Sequence, residues 1–192
     1  MRWLSVVACL AMGTNALSIP SWPIEERATK NCPTNLSGAF EFPHLIIPVN
    51  SSAPKVAKGT SYYGEVSSTI SSIFNFDIPT QGPNLCTLVF LFPSVEGRPA
   101  WTYTFEGDGK VGMARLEAPA NDGTTFENAP KVAAELGTST LAAGTSTVVT
   151  SFDCPFGQRI AFKMSNAGNT NLKYFQDYGN PPIGLYITRC AK

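Results

Sequence analysis

The chain has 192 residues, with 14 Lys and Arg balanced by 14 Asp and Glu, a formal net charge of zero and only 15% charged side chains. With no Lys/Arg cluster to release counterions from phosphates, the composition argues against a nucleic-acid partner and, on the same ground, against an anionic membrane surface. The length is that of one domain with a sizeable core.

Arg2, an apolar stretch from Trp3 to Met12 and the small-residue segment Gly13-Thr14-Asn15-Ala16 predict a secretory signal peptide over residues 1–18, cleaved after Ala16 or Ser18. The apolar run is far short of the roughly 20 residues that a membrane-spanning helix needs. Residues 19–37 read as a flexible leader, and 38–192 as a single domain. Cys9 would leave with the signal peptide. Four cysteines then remain, Cys32, Cys86, Cys154 and Cys190, an even count that in an oxidising compartment implies two disulfides. Asn35-Leu36-Ser37 and Asn50-Ser51-Ser52 match the N-glycosylation pattern.

From Gly38 onward, short apolar or alternating runs recur between Gly, Pro, Asn and Asp, the spacing of an all-β fold. Phe74, Phe76 and Ile78 alternate with Asn75 and Asp77 and predict a half-buried strand. Leu85–Phe92 is apolar on both parities, as in a central strand covered on both faces. Trp101, Tyr103 and Phe105 alternate with threonines, and Glu106-Gly107-Asp108-Gly109 then supplies a hairpin turn. Residues 116–146 read as an irregular excursion that crosses between sheets or lies on the surface, with a brief helical candidate over Pro130–Leu136. Val148, Phe152 and Cys154 are expected on one face of a strand, Ile160, Phe162 and Met164 on one face of the next, and the last strand runs from Ile183 to Cys190. The fold class is an antiparallel β-sandwich, jelly-roll-like.

Residues two apart in a strand face the same side. Cys86 then lies with Leu88, Phe90 and Phe92, Cys154 with Phe152, and Cys190 on the side opposite Leu185 and Ile187. The economical pairing is Cys86 with Cys154 across the core and Cys32 with Cys190 at the ends.

The chemistry-bearing residues do not form a catalytic pattern. Nucleophilic catalysis needs a base beside the nucleophile, and His44, the only histidine, sits in an apolar strand-like run that fits a hydrogen-bonded core or rim residue. Glycoside hydrolysis needs two facing carboxylates; Asp77, Glu106, Asp108, Asp153 and Asp177 are available, and most suit turns or solvated faces. The cysteines lack the paired spacing of a zinc site, Glu106–Gly109 lacks the ligand spacing of a calcium loop, and neither metal nor cofactor is expected. The candidate binding residues are aromatic: Tyr62-Tyr63 and the run Tyr174–Tyr178 before Gly179-Asn180-Pro181-Pro182 set rings beside amides and a carboxylate, a surface suited to sugars. Tyr63, Tyr174, Asp177 and Tyr178 are singled out, although tyrosines packed as sandwich corners would give the same pattern.

The stretches FEFPHLIIPVNSS (40–52), GTSYYGEVSSTISSIFNFDIP (59–79), CTLVFLFP (86–93) and YFQDYGNPPIGLYITRC (174–190) closely resemble the fungal family called ubiquitin 3 binding protein, C-terminal domain, over residues 38–190. The resemblance implies a fungal source, a compact β-sandwich-like domain and kinship with secreted or cell-wall proteins. The family name implies binding to ubiquitin-like activation machinery, which is cytosolic, whereas the signal peptide, disulfides and glycosylation patterns point outside the cell. The closing residues Arg189-Cys190-Ala191-Lys192 lack the apolar character of a lipid-anchor signal, so soluble secretion or non-covalent wall association is expected. The expected function is therefore that of a secreted, non-enzymatic fungal protein, extracellular or associated with the cell wall, binding wall polysaccharide. The alternatives are an effector recognised by a host surface protein, a glycan-active enzyme with unmarked carboxylates, and, on the family name alone, a binder of ubiquitin-like activation machinery.

Overall fold

The computed structural model describes residues 30–94 and 103–192, so the signal-peptide segment, Cys9 and Trp101 lie outside the described residues. Within them the chain forms β1 (Ala39–Glu41), β2 (Leu45–Asn50), β3 (Tyr63–Val66), β4 (Ile70–Asp77), β5 (Leu85–Phe92), β6 (Tyr103–Glu106), β7 (Lys110–Leu116), β8 (Val132–Thr140), β9 (Thr145–Asp153), β10 (Arg159–Asn166), β11 (Asn171–Phe175) and β12 (Gly184–Cys190). No helix occurs among these residues. All pairings between strands are antiparallel, in a four-stranded sheet ordered β1-β12-β5-β9, a five-stranded sheet ordered β2-β4-β10-β7-β8 and a three-stranded sheet ordered β3-β11-β6.

One apolar core joins the sheets. Cys86, Leu88, Phe90 and Phe92 of β5 with Leu185 and Ile187 of β12 pack against Phe74 and Phe76 of β4, Ile160, Phe162 and Met164 of β10 and Met113 of β7, and the smallest sheet adds Val66, Leu172 and Tyr174. β5 is buried along its whole length because its other face, Val89 and Leu91, packs with Tyr186 under Leu36 and Phe40.

The structure pairs Cys32 with Cys190 and Cys86 with Cys154, at Cα separations of 5.4 and 5.1 Å. Parity reads this correctly because Cys86 continues the inward face of β5. The described part of the expected leader, residues 30–37, is anchored rather than free: Cys32 is bridged, its N–H donates to Thr87 Oγ1 at 2.9 Å, and Leu36 packs on β5 and β12.

Four local expectations are corrected. Residues 132–136 extend as β8 instead of turning into a helix, because pairing with β7 outweighs the helix preference of Ala-Ala-Glu-Leu. The excursion does cross between sheets, from β8 to β9. β4 is covered on both faces rather than half-buried: Ile73 joins a second cluster with Ile47, Val49, Leu116, Ala120 and Ala161, and buried Asn75 exchanges two hydrogen bonds with the backbone of Ala120, at 2.8 and 3.0 Å. A register shift opposite Leu88 and Val89 inserts one extra residue in β9, so Val149, not Val148, packs on the core beside Phe152. Lastly, the Gly107–Gly109 turn joins strands of different sheets and is no hairpin; Asp108 closes it by accepting from Lys110 N–H and Thr170 Oγ1, at 3.1 and 3.0 Å.

Candidate functional site

The start of β2, the segment preceding β3 and the end of β11 converge. Ser61 N–H donates to the Ile46 carbonyl at 2.9 Å, and Gln176 N–H to the Tyr62 carbonyl at 3.0 Å, so three separate stretches of backbone are hydrogen-bonded side by side. Over this junction opens a cleft of about 710 Å³, lined by residues 42–46, 60–62 and 175–179.

Its walls are aromatic. Phe42 lies 5.5 Å from Tyr178 at an interplanar angle of 32° and 5.0 Å from His44, and Tyr62 leans on Phe175 at 6.4 Å. Tyr62 and Tyr178 are 79% and 63% exposed, so beyond these contacts most of each ring faces solvent. Large rings held open to solvent on a rigid backbone suit stacking against a ligand.

The loop carrying Tyr178 is anchored at its base. Asp177 and Ile183 exchange backbone hydrogen bonds, at 3.1 and 2.8 Å. Tyr186 donates its hydroxyl to the Asp177 carbonyl at 2.6 Å, and the Gln176 amide pairs with both backbone groups of Leu185. Asp177 spends one carboxylate oxygen on Gly179 N–H, 2.9 Å away, so it shapes the turn while lining the cleft.

His44 stands at the rim, its Nδ1 2.8 Å from Asp77 Oδ2. Arg159 grips the same carboxylate through Nε and Nη2, and these charge-assisted bonds, then the contact with His44, hold the Asp77 carboxyl at about 2, below its ordinary value. The neighbouring guanidinium keeps Asp77 ionised and fixed as an orienting partner for the imidazole.

Of the four residues singled out from sequence, Asp177 and Tyr178 line the cleft and Tyr174 and Tyr63 do not. Tyr174 is fully buried, edge-on to Phe90 at 5.1 Å, and burial pushes its phenol well above the ordinary range. It is a core residue: Leu172 and Tyr174 occupy the inward parity of β11. Tyr63 packs edge-on against Phe175 at 5.4 Å, with Lys173 Nζ 5.3 Å from its ring centre. Its neighbour Tyr62 is the one that reaches the cleft. Phe42 and His44 are the cleft residues that pattern reading misses, whereas Tyr62 and Phe175 lie in the aromatic doublet and run that the sequence marks without being singled out there.

The remaining carboxylates are dispersed. Asp108 closes a turn, and Asp153 pairs with Lys192. Among the described residues no cluster of three or more His, Cys, Asp or Glu is arranged to hold a metal. Asn35 is exposed, and Asn50 half-buried at the end of β2.

Residues 41–180 match the model of the family described as ubiquitin 3 binding protein But2 C-terminal domain. The chain belongs to this family. The matched segment contains every residue lining the cleft and stops short of β12 and of both partners in the Cys32–Cys190 bridge. Within the But2 family, two Schizosaccharomyces pombe proteins described as uncharacterized but2-like proteins are each 26% identical to this chain over 151 residues. Those alignments cover 76% of the chain but only 32% and 39% of the relatives, so the chain spans about a third of the length of the curated relatives it matches.

Proposed function

We propose that this But2 domain is a non-enzymatic, extracellular fungal module that binds neutral cell-wall polysaccharide in the aromatic cleft. The observation that carries the reading is the pair of exposed rings, Tyr62 and Tyr178, lining one cleft whose only ionisable side chains besides the tyrosines are His44 and Asp177. Pyranose rings present C–H faces to aromatic side chains, and the absence of lysine and arginine from the lining favours an uncharged chain over an acidic one. The disulfides support an extracellular site of action, since reducing compartments do not sustain such bonds. The family description names a ubiquitin 3 binding protein; for this chain a cytosolic partner would require a fold with both bridges reduced.

Sedimentation with insoluble chitin, β-glucan and mannan tests the proposal. Wild type is expected to partition onto at least one of them. Tyr62→Ala and Tyr178→Ala should each weaken binding by about 1–3 kcal/mol, the scale of an exposed stacking contact by analogy with bases, with unchanged melting temperatures. Absence of wild-type binding to all three, or full binding by both variants, overturns it.

A further inference from the structure

Asn35 lines a groove of about 190 Å³, together with Thr34, Leu91, Pro93, Pro181 and Pro182. The groove shares no residue with the aromatic cleft, and its size suits one sugar unit better than a chain. The tripeptide that Asn35 opens is fixed in place. Three residues upstream, Cys32 is bridged to Cys190, and the middle residue, Leu36, packs into the cluster of Val89, Leu91 and Tyr186.

Within the tripeptide, Asn35 Oδ1 accepts from both the N–H and the hydroxyl of Ser37, at 3.1 and 2.6 Å. The carboxamide oxygen is therefore occupied. Nδ2, the atom a glycan would bond, is left without a partner among the described residues. Asn50 differs: it is half-buried, its Oδ1 takes only the N–H of Ser52, and it lines neither cavity.

We propose that Asn35 carries an N-linked glycan whose first N-acetylglucosamine seats in this groove. In the attachment step Nδ2 loses a proton and bonds C1 of the sugar, which leaves a lipid-linked pyrophosphate donor. The acetamido methyl and the apolar ring face lie against Pro181 and Pro182, rigid rings that expose C–H faces, while Thr145 and Ser146 on the groove's edge take hydroxyls. The attached sugar thus covers apolar surface over the end of β5, whereas Asn50 lines neither this groove nor the aromatic cleft.

The test expresses the full chain in a glycosylating fungal host and, for comparison, the same sequence in a bacterial periplasm, where it stays unmodified. Peptide mapping reports occupancy. An endoglycosidase that leaves a single N-acetylglucosamine then separates the seat from the rest of the glycan. The trimmed protein is expected to melt with the intact glycoprotein, about 2–4 °C above the unmodified chain, and Asn50→Gln should not change this. Nuclear Overhauser contacts should link the acetamido methyl to Pro181 or Pro182. Secretion with Asn35 unmodified, a trimmed protein that melts with the unmodified chain, or a methyl without proline contacts each overturns the proposal. Retention of the chain in the cytosol overturns this proposal and the extracellular function together.

Discussion

Tyr174 and Gly64 are partners across the β3–β11 pair, and the tyrosine ring occupies the space that a Cβ at position 64 would need. Glycine is thus required in the middle of β3 by close approach, not by backbone conformation. Gly64→Ala forces the ring of a fully buried residue to move, and overpacking of this kind costs about 1–3 kcal/mol. Chemical denaturation should show that loss, with no matching loss in Gly38→Ala, where a Cβ meets nothing within 4 Å.

The hydroxyl of Tyr174 is buried without a hydrogen-bond partner. An unmet polar group of this kind carries a desolvation penalty of about 1–3 kcal/mol. Tyr174→Phe is therefore expected to raise the melting temperature, and to leave polysaccharide binding unchanged. A destabilised Tyr174→Phe protein would contradict the unpartnered state of the hydroxyl, and a binding-deficient one the placement of Tyr174 away from the cleft.

Gln176 accepts from Leu185 N–H at 3.1 Å and donates to the Leu185 carbonyl at 3.0 Å, tying the loop that carries Tyr178 to β12. In Gln176→Glu the donating nitrogen becomes a carboxylate oxygen facing a carbonyl. The folded state then favours the protonated acid, so the introduced carboxyl titrates above its unfolded value and stability falls as the pH rises through that range. Unfolding measured at pH 7 should show a loss of about 1–3 kcal/mol, largely recovered under acid conditions where the carboxyl donates.

Asp77 makes the opposite contribution. Its carboxyl, held at about 2 against an ordinary 3.8, favours the folded state above pH ~4, and that stabilisation is lost as the pH falls toward 2. The side chain is about one-third exposed, so solvent screening keeps the effect below about 1 kcal/mol. The stability difference between pH 5 and pH 2 should accordingly be smaller in Asp77→Asn than in wild type. An equal difference would show that the ion pair with Arg159 contributes nothing measurable.

What the sequence makes legible follows the range of each signal. β5 and β10 can be read directly, because burial and alternation are properties of neighbouring residues. β4 misleads because Asn75 looks like a solvent-facing residue, and only Ala120, 45 positions away, shows that its amide is satisfied in the interior. The extra residue in β9 leaves no mark in composition, and β8 consists partly of good helix formers held extended by a neighbour. At the cleft, Asp177 and Tyr178 are legible as a polar–aromatic turn. The His44–Asp77 pair is not, since its partners are 33 residues apart and meet only through the register of β2 on β4. Tyr174 fails for a simpler reason: the aromatic run reads as loop, whereas β11 continues through Phe175 and turns Tyr174 inward.

The Cys32–Cys190 bridge brings the segment before β1 and the end of β12 to a single point, with Cα atoms 5.4 Å apart. Tension applied through the chain before Cys32 and after Cys190 passes across one covalent bond and bypasses the hydrogen-bonded strands between them. The domain can therefore be carried in a tensed chain while adding almost nothing to its extension, and its core stays unloaded. Reduction reroutes the same load into β12, where the contacts of Lys192 with Asn84 and Asp153 and the pairing of Cys190 with Leu85 on β5 lie nearest the pulled end.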